Sequence, residues 1–397
     1  VKASELDAIK AKLKNQHGYD PGDYEGYTHR TENDKFLVKL NLNISADHVF
    51  STRYNYMQSF RDKSPHAAIS ASGDRGPSKN VLPFSNNSYE IHNDMHSIVG
   101  ELNSRLFDGK IANKLQVSYT TLRDFRTPWS KAFPSVDILL GGTNYVSFGL
   151  ERFSTNNVLN SDVLQITDNV NYFMNNQVIT AGFSYESFKF ANSFNLFHHP
   201  AVTYDSFENF MDDSGHVFTN PKSKIDNLSN FTNQSTTYVN DVTDVAQLAL
   251  YMQDEIQVND QLMITLGLRA DKPSYNMTIP KNNGIEALTF YNPSDKAVKV
   301  DVSRLPDENT LWSPRAGFNF SIDEDIQIRG GSGLFTGRIP FVWIANQVGN
   351  NKAAPFYQFY LHGMANDFKF PQVLKSNLAG DILLPFEIKA TAEFLYG

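Results

Sequence analysis

The fold of this chain is decided by residues 245–271, which read VAQLALYMQDEIQVNDQLMITLGLRAD. Apolar side chains occupy the even positions from Ala246 to Met252, and most of the odd positions between and after them are polar. A short turn at Asn259-Asp260 follows, and leucine or isoleucine then alternates with polar residues or glycine up to Asp271. A period of two over two such segments predicts two long, half-buried strands joined in a hairpin.

Five further segments repeat this hairpin design around short turns. The turns lie at residues 45–47, 108–109, 175–176, 323–325 and 384–385. Six hairpins correspond to roughly a dozen strands, and each apolar run can cross a bilayer at a tilt, which requires ~9–11 residues. The pattern therefore predicts an all-β fold of antiparallel strands.

The connections between hairpins are much longer than the turns within them. They span roughly residues 61–95, 124–165, 188–244, 272–312 and 338–371. An ordinary domain rarely holds a structureless loop beyond ~12–15 residues. Strict alternation of short and long connections is what an outer-membrane barrel requires, with short periplasmic turns and long extracellular loops. We therefore predict a transmembrane β-barrel in the bacterial outer membrane; a soluble β-sandwich or propeller is the alternative.

The polar face of the predicted strands supports a wide barrel. It carries Lys39, Asn41, Arg53, Glu101, Arg105, Gln253, Glu255 and Arg269. A wide barrel can hydrate such residues or pair them with a plug. In an open soluble sheet the apolar face would need a covering partner. The sequence offers only one short capped helix at residues 4–9, which is too small for that purpose.

Composition excludes several classes of function. Aromatic residues make up 13% of the chain, which favours strands. The net charge is −8 without a basic cluster, so a nucleic-acid partner is disfavoured. No cysteine is present, which excludes disulfides and thiolate metal sites. No catalytic constellation stands out, so we expect neither enzymatic activity nor a cofactor.

Three features outside the predicted strands are candidates for ligand contact. His198 and His199 could ligate a metal, but adjacent side chains point apart in an extended chain, so a solvated or ligand-contacting loop is favoured. Trp343 lies near a strand–loop border, as do Trp129 and Trp312. At such a border a tryptophan can belong to the aromatic girdle at the membrane interface or pack within a loop, and the sequence favours neither role. The acidic segments 20–23 and 212–216 could hold Ca²⁺, but turn formation explains them better.

Several motifs resemble those of TonB-dependent outer-membrane receptors. Tyr251-Met252-Gln253-Asp254-Glu255, followed after the turn by Leu266-Gly267-Leu268-Arg269-Ala270-Asp271, resembles a barrel hairpin of that family. Ser313-Pro314-Arg315-Ala316-Gly317-Phe318 and Arg329-Gly330-Gly331-Ser332-Gly333 resemble the next hairpin. The continuation 336–343 with Arg338, and Gly149-Leu150-Glu151-Arg152-Phe153, are similar to the Oar-like branch, which carries a carboxypeptidase-regulatory-like domain and is common in Bacteroidetes.

The resemblance implies a barrel of about 22 strands around a globular plug. It also implies import of a nutrient bound at the external loops, energised by the TonB complex through the plug. We expect residues 1–397 to be an incomplete barrel domain, because the plug, a TonB box and the regulatory-like domain are not recognised in them. The implied surroundings are outer-membrane lipid and an unidentified nutrient ligand.

The resemblance makes twelve residues candidates for family-motif and lumen-facing positions. They are Tyr251, Gln253, Asp254, Gly267, Arg269, Asp271, Pro314, Arg315, Gly317, Arg329, Gly333 and Arg338. Two other functions stay open from the sequence. One is an outer-membrane barrel for adhesion, secretion or surface display without active import; the other is a soluble all-β enzyme or lectin.

Overall fold

Twelve strands form one continuous antiparallel sheet in the computed structural model, which describes residues 1–66, 75–154, 157–193, 199–219, 241–349, 363–365 and 368–397. In chain order the strands are β1 (Thr31–Asn43), β2 (His48–Lys63), β3 (Leu82–Pro83), β4 (Tyr89–Leu106), β5 (Ile111–Pro128), β6 (Ser135–Leu140), β7 (Thr143–Phe148), β8 (Val158–Phe173), β9 (Gln177–Ser193), β10 (Ala201–Tyr204), β11 (His216–Thr219), β12 (Asp241–Gln257), β13 (Leu262–Tyr275), β14 (Phe290–Tyr291), β15 (Ala297–Val298), β16 (Leu311–Ser321), β17 (Ile326–Thr336), β18 (Gln372–Leu384) and β19 (Ile388–Tyr396). The helices are α1 (Ala3–His17), α2 (Phe207–Met211), α3 (Asn283–Ala287) and α4 (Val342–Gly349).

The twelve-stranded sheet, here called the main sheet, has the order β1-β2-β4-β5-β8-β9-β12-β13-β16-β17-β18-β19. Strands that follow one another in this order are antiparallel, so the six predicted hairpins and the all-β fold are confirmed. The strands reach further into the connections than predicted; β4 begins at Tyr89 and β9 ends at Ser193. These outer ends carry polar side chains on both faces, which is why the period of two fades before the strand ends.

Alternation along β12 and β13 is confirmed by solvent exposure. Leu248, Leu250 and Met252 are 42–57% exposed on one face, whereas Ala249 and Asp271 on the other face are almost completely buried. The register places Leu250 opposite Ala270, so apolar side chains face each other across the hairpin. The main sheet thus has an apolar face that is open to its surroundings and a polar face that is partly covered.

Among the described residues, no helix is both long enough and apolar enough to span a membrane.

The long connections are not structureless, because five of their segments build a second sheet, here called the loop sheet. Its order is β11-β10-β6-β7-β3, with β6 and β10 parallel and β6 and β7 antiparallel. Helix α1 covers one face through Leu6, Ile9 and Leu13, whose spacing places them on one side of a helix. Their partners on the loop sheet and α2 are Val136, Ile138, Val146, Phe148, Val202, Tyr204 and Phe210.

The predicted N-terminal helix at residues 4–9 was too short. Helix α1 has 15 residues, and its N-cap is Lys2, which makes no side-chain capping bond. Burial of three apolar side chains against the loop sheet extends the helix beyond what local capping signals indicate. The helix packs on the loop sheet and leaves the apolar face of the main sheet uncovered.

A buried lysine joins α1 to α2. The ammonium of Lys12 donates to the carbonyl oxygens of Phe210 (2.6 Å) and Met211 (2.9 Å) and pairs with Asp213 at 3.0 Å. Its side chain is only 2% exposed. A cation at the end of a helix satisfies carbonyls that have no partner within the helix. This contact fixes the N-terminal segment to the connection between β10 and β11.

The segment Gly149-Leu150-Glu151 holds two connections together. Gly149 has φ +85°, and a Cβ atom there would lie 1.8 Å from the carbonyl oxygen of Pro134, so only glycine fits. The amide of Asn87 donates to the carbonyl of Gly149 at 2.7 Å. The buried carboxylate of Glu151 accepts from the backbone of His66 at 3.3 Å. The motif therefore stabilises the junction between the connections 64–88 and 129–157.

Candidate functional site

A row of polar side chains crosses the polar face of the main sheet. Gln165 on β8, Glu186 on β9 and Gln247 on β12 are register neighbours on three adjacent strands. Such neighbours project from the same face. The amide of Gln165 donates to Glu186 Oε1 at 2.7 Å. The three side chains therefore form one continuous polar surface.

Arg338 lies on this row, although it belongs to the connection after β17. Its guanidinium pairs with Glu186 and donates through Nε to Gln247 Oε1 at 3.1 Å. It also lies over the ring of Phe188, 4.9 Å from the ring centroid. We call Glu186, Gln247 and Phe188 the cradle, since together they offer a carboxylate, an amide oxygen and an aromatic face to one planar cation.

Neighbouring groups fix the orientation of the cradle. Gln247 donates through Nε2 to Asp271 Oδ1 at 2.9 Å, which turns its amide oxygen towards Arg338. Arg269 holds the carboxylate of Asp271 with Nε at 2.9 Å and Nη2 at 2.9 Å. Each acceptor of the cradle is thus held by a side chain from another strand, so its geometry is preorganised.

The network continues through Tyr251 towards β8. Arg269 lies 5.4 Å from the centre of the Tyr251 ring, and the Tyr251 hydroxyl donates to Asn169. The ring crosses Gly182 on the intervening strand, where a Cβ would lie 2.7 Å from the ring. Glycine at this position leaves room for an aromatic side chain on the neighbouring strand, a known device of curved sheets.

An apolar cluster covers the polar face beside the cradle. Phe341 comes directly before α4, and Ile344 lies in its first turn. Both pack with Phe188 on β9 and Val245 on β12. The rings of Phe188 and Phe341 are 5.2 Å apart. The segment from Arg338 to α4, here called the lid segment, therefore lies against the polar face of the main sheet.

A second polar cluster lies on β17–β19. Arg329 donates through Nε to Asp381 at 3.0 Å and lies 3.9 Å from Glu393. Thr391 donates to Asp381 at 2.6 Å. Further along the same face, Arg315 lies 4.4 Å from the ring centre of Phe335. This side of the polar face carries charge but no covering segment among the described residues.

The structure brings most of the predicted site residues onto the polar face. Those placed there are Tyr251, Gln253, Gly267, Arg269, Asp271, Arg315, Gly317, Arg329 and Gly333. Arg338 reaches this face from the lid segment.

Asp254 and Pro314 do not share the polar face. Asp254 is an even-numbered residue of β12 and lies opposite Leu266, while Pro314 lies opposite Leu268. The period of two places both with the apolar side chains, so the lumen-facing interpretation is wrong for these two residues.

The loop candidates lie apart from the cradle or outside the described residues. His199 is buried, and its carbonyl accepts from Arg152 at 3.2 Å, so it belongs to the junction of connections. His198 lies outside the described residues. Trp343 is 55% exposed on α4, within the lid segment.

The two acidic segments behave as turns. Asp20 Oδ1 accepts from the backbone of Gly22 at 2.9 Å, and the ammonium of Lys10 pairs with Asp23 at 2.8 Å. In the segment 212–216, Asp213 adopts a positive φ of 54°. In the part of the chain that the structure describes, no three His, Asp or Glu side chains form a candidate metal site.

Sequence reasoning identified Arg338, Arg269 and Asp271 but not the residues that connect them. Glu186, Gln165 and Gly182 were missed, because their roles depend on the register between strands that are distant in sequence. Alternation indicates which face a residue takes, but it does not indicate the neighbour across the strand.

The chain is similar to a family of outer-membrane domains and to several solved structures. A family model described as an outer membrane beta barrel domain matches residues 3–385. The outer membrane transporter YddB from Escherichia coli has a TM-score of 0.60 at 12% identity, covering 92% of this chain and 40% of that one. The copper transporter OprC has a TM-score of 0.53 at 9% identity, covering 94% and 46%.

A third solved structure gives the same result. The ferric-catecholate import receptor Fiu from Escherichia coli K12 has a TM-score of 0.51 at 10% identity, covering 94% of this chain and 52% of that one. The chain thus spans about half or less of these structures. No curated protein matches the sequence significantly. At these identities the likeness shows a shared fold.

Proposed function

This chain belongs to the outer membrane beta barrel domain family, and from that membership we propose that it forms barrel wall in a TonB-dependent transporter that imports a nutrient. The family places the protein in the bacterial outer membrane. The structural neighbours named above are transporters and receptors. The proposal is that the protein binds a nutrient, imports it with energy and is coupled to the TonB complex through a plug.

The observation that carries the proposal is the connected polar network on the face opposite the lipid-facing leucines. The network runs from Gln165 through Glu186, Gln247 and Asp271 to Arg269. A barrel packed by its own side chains has no room for such a network in its interior. A hydrated lumen or an inserted polar domain satisfies it, and a transporter of solutes requires that environment.

The long connections supply the material for ligand recognition at the outer surface. They build the loop sheet from three separate connections and cover the polar face with the lid segment. Specificity in such proteins is carried by loops positioned on a rigid scaffold. We therefore propose that the ligand first meets the loop sheet and the lid segment.

Membership of the Oar-like branch in Bacteroidetes is part of the same proposal. The segments that carry the resemblance have structural roles here: Gly149 and Glu151 join connections, and Arg338 binds the main sheet. Residues with such demanding contacts are the ones that a branch of a family would share.

Uptake in cells that produce the protein tests the proposal. Deleting its gene should abolish growth on one scarce nutrient, and dissipating the proton gradient should have the same effect in the parent strain. Restoring the gene should restore growth, whereas restoring it with Glu186→Gln and Arg269→Ala together should restore less. Uptake that persists without the gene, or that ignores the proton gradient, would contradict import and favour adhesion, secretion or display.

A further inference from the structure

The cradle on the polar face has the features of a site for a planar cation. It offers the carboxylate of Glu186, the amide oxygen of Gln247 at 3.1 Å and the face of Phe188 at 4.9 Å from the cation centre. We propose that it is a binding site for a guanidinium group of the ligand, which the chain's own Arg338 fills until the ligand takes its place. This inference rests on the proposed function and adds the chemical class of the ligand.

The cradle keeps its shape without Arg338. Glu186 is held by Gln165, and Gln247 is held by Asp271, which in turn is held by Arg269. These supporting groups belong to β8 and β13, so none of them moves with the lid segment. A ligand would therefore meet acceptors that are already oriented, which lowers the cost of binding.

Charge in the network is arranged so that Glu186 depends on Arg338. Among the described residues, Asp271 pairs with Arg269, and the one cation within ion-pair distance of Glu186 is that of Arg338. Leaving a partly buried carboxylate without a cation is unfavourable. Departure of Arg338 therefore favours entry of another cation rather than an empty site.

Geometry favours a guanidinium over an ammonium. A guanidinium is planar, presents donors in a fixed fork and stacks on aromatic rings, whereas an ammonium is a compact and strongly hydrated charge. Arg338 uses both properties, since it donates to two acceptors while lying over Phe188. An arginine side chain in a short peptide, or a small guanidinium compound, has the matching chemistry.

The cradle is accessible, and Arg338, which fills it, belongs to the same segment as Trp343. The Arg338 side chain is 41% exposed, so a ligand can approach from the solvent side. The six residues after Arg338 include Ile339, Phe341 and Ile344, which belong to the apolar cluster. Displacing Arg338 would loosen the lid segment, which carries the exposed Trp343. Binding at the cradle would thus change the environment of that tryptophan.

The test measures binding without import. The chain is purified in detergent with Trp129→Phe and Trp312→Phe, so that Trp343 is the only tryptophan, and is titrated with N-acetylarginine amide. We expect wild-type binding to shift the emission of Trp343. Arg338→Ala should bind the probe about tenfold more tightly or better, because the internal competitor is gone.

Specificity controls make the result decisive. Adding Glu186→Gln to Arg338→Ala should weaken binding about tenfold or more. The matched change Glu255→Gln, on the same face but outside the cradle, should leave binding unchanged. N-acetyllysine amide should bind much more weakly than the arginine probe.

Three results would overturn the inference. These are no binding of the arginine probe by either the wild type or Arg338→Ala, equal binding with and without Glu186→Gln, or equal binding of the lysine probe. Calorimetry on the wild type provides a second measurement if Arg338→Ala folds poorly. Since the assay involves no transport, its failure would reject the cradle as a ligand site and would leave the import proposal to the uptake experiment.

Discussion

The main sheet and the loop sheet distribute apolar side chains in opposite ways. In the main sheet, Leu250 and Met252 are exposed on the outer face, and charged groups such as Arg269 lie on the opposite face. In the loop sheet, Val136 and Phe148 are fully buried against α1. We expect this difference when the outer face of the main sheet meets lipid and the loop sheet folds in water.

The two sheets also differ in how far their contacts reach along the chain. Each strand of the main sheet pairs with the neighbouring strand of the same sheet in chain order. The loop sheet depends on contacts such as Lys12 to Phe210, which are 198 residues apart. We therefore expect the loop sheet to respond to single substitutions that leave the main sheet folded.

We expect Gly149→Ala to cause the largest loss of stability. The new Cβ would lie 1.8 Å from the carbonyl oxygen of Pro134, so the backbone must move. We expect the loop sheet to lose roughly 3 kcal/mol or more, and amide hydrogen exchange in β6 and β7 should rise while that in β12 stays slow. Gly141→Ala is the control, since Gly141 also has a positive φ but has open space around a Cβ. Equal losses in the two variants would contradict the steric argument.

Leu250→Arg should disturb the main sheet and spare the loop sheet. An arginine near mid-bilayer on the lipid-facing side of a barrel costs ~2–4 kcal/mol, and the register neighbours Phe183 and Ala270 offer it no charge. Thr265→Arg, on the polar face, should cost little. Urea unfolding in liposomes measures both. Similar costs would refute the assignment of faces.

Leu266→Arg tests how much a nearby carboxylate lowers the stability cost of an arginine on the apolar face. Leu266 lies opposite Asp254 on the apolar face, so the new guanidinium would meet a carboxylate. We expect a smaller cost than for Leu250→Arg, because a paired charge is less unfavourable than an isolated one. The double variant Leu266→Arg with Asp254→Asn should lose that advantage in the same unfolding assay; an unchanged cost would show that Asp254 does not face the arginine.

Lys12→Met should destabilise the loop sheet moderately. It removes two hydrogen bonds to the end of α2 and leaves those carbonyls buried, at a cost of ~1–3 kcal/mol. Lys10→Met is the matched control, because Lys10 makes a solvent-exposed pair with Asp23 that contributes ~0–1 kcal/mol. Limited proteolysis at α1 should distinguish them. Equal protease sensitivity would mean that Lys12 does not join the two helices.

The smallest effect is a pH dependence confined to the loop sheet. Burial lowers the pKa of His17 below its ordinary value, and the nearby Asp213 opposes this shift while Lys12 reinforces it. The unfolded chain then takes up the proton first, so the stability contribution is present above a pH of about 6.5 and is lost as the pH falls through the folded pKa. Thermal unfolding of His17→Leu should be less sensitive to this pH range. Equal sensitivity would assign the effect to another group.

Sequence alone predicted the main sheet because its information is local. The alternation in 245–271 and the turn at Asn259-Asp260 lie within one hairpin, and the long connections separate each hairpin from the next. The loop sheet escaped prediction because its strands are short, and because the pairs β6–β10 and β7–β3 join segments that are distant in the chain. The cradle was predicted in part: Arg338 followed from a motif, but its partner Glu186 is defined only by the fold.

The orientation of the two sheets across the membrane tests the account most directly. The sequence contains no cysteine, so single substitutions provide unique labels. Asp212→Cys, after α2 beside the loop sheet, and Asp260→Cys, in the turn between β12 and β13, would be introduced into the protein as the cell produces it. Intact cells would then be treated with an impermeant maleimide. The account predicts labelling at residue 212 and protection at residue 260 until the outer membrane is opened; labelling at residue 260 with protection at residue 212 would contradict it.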